Sequence, residues 1–211
     1  MKLYYSPGAC SLAPHIALNE SRLPFTARKV DLRAHKLADG TDYYAINPKG
    51  YVPLLELDNG ARLSEVAVIL QYIADRGPGT LAPAFGSIER YRVMEWLNFI
   101  ATELHKQFSP LFYPTTPDAT KTAQKERIAK RFDLVETALA EQPYLTGPTF
   151  TIADAYLFTI VNWSGGMKID LAPWPALRAF QERVKTRPAV QAALRAEGLV
   201  KDVRAPAATV A

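Results

Sequence analysis

The chain has 211 residues, 48% hydrophobic and 22% charged, the balance of a globular protein with one large domain or two small ones. Its formal net charge of +4 suits anionic small molecules, and the scatter of its Lys and Arg residues argues against a nucleic-acid interface. No apolar run approaches the roughly 20 residues needed to span a membrane, and Pro7 and Gly8 interrupt the N-terminus before any signal-peptide core. A single cysteine, Cys10, rules out an internal disulfide and points to the cytoplasm. It and three dispersed histidines, His15, His35 and His105, have no metal-ligand spacing, so no metal site is expected.

In chain order, Lys2–Tyr5 reads as a strand. Ser11 is expected to cap a partly buried helix running to about Ser21, with Pro14 tolerated in its first turn. Residues 25–32 have strand-like spacing, which gives a β-α-β unit. A polar stretch, Arg33–Asp42, leads to a short helical piece at Tyr43–Ile46, stopped by Asn47-Pro48-Lys49-Gly50. Leu54–Leu57 and Ala61–Leu63 flank Asp58-Asn59-Gly60, a hairpin turn. Ser64 is expected to cap a helix over Glu65–Arg76, with Val66, Ile69, Leu70 and Ile73 on one face. Residues 1–80 therefore predict an α/β module with a four-stranded mixed sheet.

The Gly/Pro-dense segment that follows predicts a linker over 81–87. Strand signals then vanish, and residues 88–201 read as all-helical: one long helix over Ile88–Phe108, a loop over Ser109–Asp118, then helices near Thr120–Glu141, Ile152–Trp163, Pro175–Thr186 and Pro188–Glu197. Thr151 and Asp154 form a capping-box pattern with Asp in place of Glu. Residues 202–211 read as a loose tail.

Four features carry candidate chemistry. Cys10 sits at a strand-to-helix turn, where N–H groups and the helix dipole converge; it is either a small buried hydrophobe or a site that binds an anion or stabilises a thiolate. Val52-Pro53 is either punctuation or, with a cis bond, an unpaired strand edge on which an extended peptide adds. Ser64-Glu65 is either a helix cap or a head-group site, with N–H groups for a carboxylate and Glu65 for an ammonium. Asn98, Thr102 and His105 form a polar stripe on the long helix with Lys106 nearby; it is either the solvent face or the lining of a cleft where His105 meets a thiol.

Together, Tyr4-Tyr5-Ser6-Pro7-Gly8-Ala9-Cys10-Ser11, Asn47-Pro48-Lys49-Gly50-Tyr51-Val52-Pro53, Leu63-Ser64-Glu65 and Gln71-Tyr72-Ile73-Ala74-Asp75 resemble the glutathione-binding half of a bacterial beta-class glutathione transferase. The runs Trp96–Lys106 and Phe150–Tyr156 resemble its helical half. The resemblance spans about residues 1–201 in order. It implies a thioredoxin-like N-terminal domain, an all-α C-terminal domain and a homodimer. It implies glutathione along Val52 and a cis Pro53, with Glu65 and the Val66 N–H on the γ-glutamyl group and Cys10 and His105 facing the sulfur. Lys106 with His35 or Lys36 would favour the glycyl carboxylate, and Asn98 and Thr102 would reach a site across the dimer interface. Val66 stands where the family usually has Gly or Ser, and His35 where lysine is common. Ser164-Gly165-Gly166-Met167 carries no signature for the second substrate.

The implied activity is conjugation of glutathione thiolate to a hydrophobic electrophile held between the domains. Candidate pocket walls are Tyr5, Ala9, Phe108, Phe112, Tyr113 and Trp163. Tyr5 and Ser11 are alternative hydroxyls for assisting the thiolate. Competing readings are thiol–disulfide exchange through a Cys10 mixed disulfide, dehalogenation as a variant of the substitution, and non-catalytic ligand or partner binding by the same fold.

Overall fold

The computed structural model describes residues 1–79 and 81–200; the expected tail over 202–211 lies outside them. β1 (Lys2–Tyr5), α1 (Leu12–Ser21) and β2 (Thr26–Asp31) form the expected unit, with β1 and β2 parallel. β3 (Lys36–Leu37) then pairs antiparallel to β2, and β4 (Leu54–Glu56) and β5 (Arg62–Ser64) complete a sheet of order β3-β2-β1-β4-β5. The sheet thus has five strands rather than the four expected. β3 spans only two residues, too short to leave a period-two pattern in the polar stretch that contains it. The mixed sheet followed by helices is the thioredoxin-like and all-α arrangement that the resemblance implies.

Alternation along β1 sorts the two faces. Leu3 and Tyr5 point into the main core, and Tyr4 points to a smaller cluster with Val30, Leu37, Tyr43, Val52 and Leu54. α1 is expected to be partly buried but is buried on nearly every side, because it packs against α2 (Val66–Arg76), α6 (Ile152–Val161) and α9 (Pro188–Ala196). Every residue of α6 is buried. One continuous core therefore joins the sheet to the helices.

Two expected caps are not made. Ser11 is fully buried, and its hydroxyl donates to Ser6 O at 3.2 Å while accepting from Ser6 N–H at 3.1 Å. Ser64 is the last residue of β5, and α2 starts at Val66 after Glu65, whose φ is +71°. The Ser11 hydroxyl is taken by the backbone of its own turn, and the Ser64 hydroxyl by Lys49, which lies outside the local pattern that assigns a cap. The expected long helix is three pieces: α3 (Ile88–Phe99), a π-helical segment Ile100–His105, and α4 (Lys106–Phe112). Helix α4 carries Pro110, so the expected loop over Ser109–Asp118 shrinks to 113–117. α5 (Asp118–Ala140), α8 (Pro175–Lys185) and α9 lie near expectation, while α6 ends at Val161 and α7 (Trp163–Gly166) is separate.

Asp154 opens α6. Its buried carboxylate accepts from Leu145 N–H at 2.9 Å, Thr151 N–H at 2.7 Å and the Thr151 hydroxyl at 2.9 Å. Burial pushes this carboxyl up to about 6, and the three donors pull against that rise. Asp154→Ala leaves those buried donors unmet in the segment that leads into α6, the helix on which the core is built. We expect it to lower stability by about 2–4 kcal/mol, measured as a lower urea midpoint at an unchanged m value.

Candidate active site

Four segments supply the site. The β1–α1 turn carries Cys10, and its position is fixed at Gly8, whose φ of +71° suits glycine. Gly8 N–H donates to Glu197 Oε2 at 2.9 Å, and Gly8 O accepts from Trp163 Nε1 at 2.8 Å. Glu197 Oε1 also lies 2.8 Å from His15 Nδ1 within the core. Cys10 Sγ donates to Val52 O at 3.2 Å. Burial is the main influence on the thiol and pushes it up to about 12, outweighing the N–H groups of Cys10 and Ser11, which favour the thiolate. Of the two readings of this turn, desolvation favours the protonated Cys10 thiol, a neutral donor, over a thiolate held by the helix start.

The second segment carries Val52-Pro53, whose peptide bond is cis. The carbonyl of Tyr51 accepts from the Tyr43 hydroxyl at 2.8 Å and Asn47 Nδ2 at 2.7 Å. Val52 O is engaged by Cys10 rather than lying free as an open edge; a carbonyl has a second lone pair for a further donor. Gly50 closes the turn because a Cβ there would fall 2.6 Å from Tyr44 Cε1 and 3.1 Å from His35 Nδ1. His35 stacks on Tyr44 with centroids 4.5 Å apart, and its Nδ1 is buried without a partner. Lys36 sits in β3 with its side chain exposed.

The third segment is the start of α2. Glu65 Oε1 accepts from Lys49 Nζ at 2.8 Å, and the same ammonium donates to Ser64 Oγ at 3.1 Å. The first N–H groups of α2, Val66 among them, have no partner within the helix. Lys49 has no candidate role in the sequence although it lies in the Asn47–Pro53 motif; in the fold it places an ammonium on the Glu65 carboxylate.

The fourth segment is the π-helical turn with α4 and α7. His105 Nδ1 lies 2.7 Å from the Tyr156 hydroxyl. Burial, then the nearby Lys106 charge, lowers His105 to about 4, so its imidazole is neutral at pH 7. Trp163 stands edge-on to His105, Phe108 and Phe112 with centroids 5.1, 5.6 and 5.1 Å away. Phe108 is fully buried, so it is the floor of this aromatic group; Phe112 and Tyr113 are exposed. Ala9 packs at the edge of the small cluster. Two expected walls or hydroxyls are displaced. Tyr5 packs 5.5 Å from His15 and feels the buried Glu197 carboxylate, and Ser11 is tied to the Ser6 backbone. Asn98 and Thr102 are exposed and bond their own helix, to Met94 O and Asn98 O, both at 3.0 Å.

Lys106 and Glu65 are both close enough for their charges to act on the Cys10 thiol and the His105 imidazole. Groups from both halves of the chain thus meet at Cys10. Among the described residues no group of three or more His, Cys, Asp and Glu side chains could hold a metal ion.

Models of the glutathione S-transferase N-terminal and C-terminal domains match residues 8–76 and 99–188. The chain is 50% identical over 201 residues to glutathione S-transferase GstA of Escherichia coli O157:H7, covering 94% of this chain and 100% of that one. The chain belongs to the glutathione S-transferase family. Its fold matches that of BphK, a bacterial GST solved as a ternary complex, at a TM-score of 0.92 and 55% identity over 94% of this chain and 100% of that one. It also matches a beta-class transferase of Sphingomonas chungbukensis at a TM-score of 0.91 and 45% identity over 95% and 100%. The enzyme stands with the bacterial beta class of that family. Val66, which departs from the family's usual Gly or Ser, follows Glu65 at the start of α2, and His35, which departs from its common lysine, stands beside Gly50.

The neutral Cys10 thiol gives a direct expectation. At pH 7 the resting transferase reacts with iodoacetamide at least roughly a hundred-fold more slowly than free glutathione does, and the rate climbs with pH well beyond 9. A stopped-time mass measurement of alkylated protein, repeated across pH, checks this; fast labelling at neutral pH would contradict it.

Proposed function

We propose that this transferase binds glutathione along Val52-Pro53 and attacks hydrophobic electrophiles with the thiolate of the bound tripeptide. The observation that carries the reading is the meeting of a neutral Cys10 thiol, the Val52 edge and the aromatic group around Trp163. The γ-glutamyl ammonium takes Glu65, and its carboxylate takes the Val66 N–H at the start of α2. Lys106 with His35 or Lys36 holds the glycyl end. Asn98 and Thr102, exposed on the described chain, reach a second copy in a homodimer. The enzyme acts in detoxification in the cytoplasm, where glutathione is kept reduced. Residues 1–80 serve as the glutathione-binding domain, 81–87 as linker, and 88–201 as the domain with the electrophile site.

Burial neutralises Cys10 and His105, so the negative charge at the site belongs to the ligand. The glutathione thiol gives its proton to solvent, and His105 and the Lys106 charge favour the resulting thiolate, while the Cys10 proton stays on Val52 O. Its sulfur forms a bond to the electrophilic carbon. With a chloroarene the C–Cl pair leaves as chloride, so dehalogenation is the same step on a different substrate. Trp163 and Phe112 present an apolar surface for such a ring. Exchange through a Cys10–glutathione disulfide ranks second, because burial disfavours the Cys10 thiolate that exchange requires.

The test is conjugation of glutathione to a chlorodinitrobenzene by wild type and Cys10→Ala. We expect the variant to keep kcat within about tenfold and to lose mixed-disulfide formation. A hundred-fold loss of kcat would instead make Cys10 a catalytic residue. With His105 lowered to about 4, it contributes no rising limb to the kcat profile between pH 6 and 7.

Lys49 occupies the carboxylate proposed for the ligand's ammonium, so the two compete. Both Lys49 and Glu65 are more than half exposed, at 51% and 68%, which keeps the effect small. Lys49→Ala should lower the KM for glutathione roughly two- to threefold at low salt, the range of an exposed ion pair. A raised KM would mean that Lys49 binds the ligand.

A further inference from the structure

Tyr156 lies in α6 and is only 2% exposed. Its hydroxyl is 2.7 Å from His105 Nδ1, and the two rings are perpendicular, at 88°. Among the described residues neither the hydroxyl nor either imidazole nitrogen has another hydrogen-bond partner. His105 is half-buried, and with Nδ1 on Tyr156 its Nε2 is the ring nitrogen left for a further partner. The two nitrogens flank one ring carbon and their hydrogen-bonding directions diverge, so with Nδ1 turned to Tyr156 of α6, Nε2 points away from it.

Two proton arrangements fit that contact. In one, the phenol donates to Nδ1 and the imidazole proton is on Nε2. In the other, Nδ1–H donates to the phenol oxygen, and the phenol proton is left in the core without an acceptor. A buried donor without a partner is the costly state. A doubly protonated ring, which would force the second arrangement, is disfavoured by burial and by Lys106. Burial also keeps the phenol protonated.

We propose that Tyr156 is the positioning residue of this site: its hydroxyl fixes His105 as the Nε2–H tautomer, making His105 a neutral donor aimed at the glutathione sulfur. The destination of that N–H rests on the function proposed above; the tautomer does not. In this arrangement His105 cannot take the thiol proton at Nε2, and its role is to stabilise the thiolate that forms. The same phenol holds the imidazole edge-on to Trp163, so one contact sets the donor and its angle to the aromatic group.

The experiment has two parts on full-length protein. First, nitrogen NMR of uniformly labelled wild type, without glutathione, reads which imidazole nitrogen carries the proton; with three histidines, His105→Gln assigns the signal. We expect Nε2–H with Nδ1 as acceptor, and Nδ1–H would overturn the proposal. Second, Tyr156→Phe should lose the single tautomer and lower kcat for a chlorodinitrobenzene roughly three- to tenfold, the scale of one hydrogen bond, at an unchanged KM for glutathione. Full kcat in the variant, or a fall in kcat with the tautomer unchanged, would also overturn it. Should Tyr156→Phe fail to fold, the wild-type spectrum still decides the tautomer. If wild type neither binds glutathione nor turns over, the proposed function falls while the tautomer result stands.

Discussion

The backbone of one residue, Gly8, is gripped from both sides by the helical half of the molecule. Glu197 takes its N–H and Trp163 supplies a donor to its carbonyl, at 2.9 and 2.8 Å. Cys10 is two residues further on, so the sulfur site has its position because distant helices hold the turn that carries it. Glu197 cannot be apolar here, since Gly8 N–H and His15 both need its oxygens. A buried carboxylate is tolerated only when its oxygens are engaged in this way. Trp163 then does two things at once: its indole N–H fixes the turn, and its ring faces His105 and Phe112. The distance from thiol to aromatic surface is set through one side chain rather than through a flexible hinge.

That construction explains the electrostatics. Packing the turn under the helices dries it, and burial is the largest influence on Cys10, His105 and Tyr156 alike. The dry zone therefore carries neutral donors, and the full charges stand at its rim: Lys106, Glu65 and Lys49, all exposed. A ligand with an ammonium at one end, carboxylates at both and a thiol between them matches a charged rim around a neutral centre. The centre itself, Cys10, His105 and Tyr156, offers no group that ionises readily.

The sequence made some of this legible and not the rest. β1, the hairpin around Asp58-Asn59-Gly60 and the starts of most helices follow from period, turn chemistry and caps acting over a few residues. Cys10, Glu65 and His105 were visible because their residue types and local settings carry chemistry. The grip on Gly8 was not, because its partners are 155 and 189 positions away and no local pattern links them. The Ser64 cap fails because Lys49, outside the local pattern, takes its hydroxyl, and the Ser11 cap because the Ser6 backbone in its own turn takes that one. Tyr156 has no role of its own in the sequence beyond ending the Phe150–Tyr156 run, since a ring that fills a core and an O–H that orients a histidine leave the same mark on the pattern.

The polar stripe Asn98, Thr102 and His105 separates for a geometric reason. Under α-helical spacing the three share one face. The π-helical segment Ile100–His105 winds more residues into its turn, so residues after it are rotated relative to those before it. Asn98 and Thr102 stay on the outside and bond their own helix, while His105 turns inward to Tyr156 and Trp163. A regular helix would leave His105 on the outer face with the other two. The irregular turn takes an imidazole from a solvent-facing stripe into the site, and Leu104 and Phe108 remain fully buried on either side of it, so the core is kept while the face is changed.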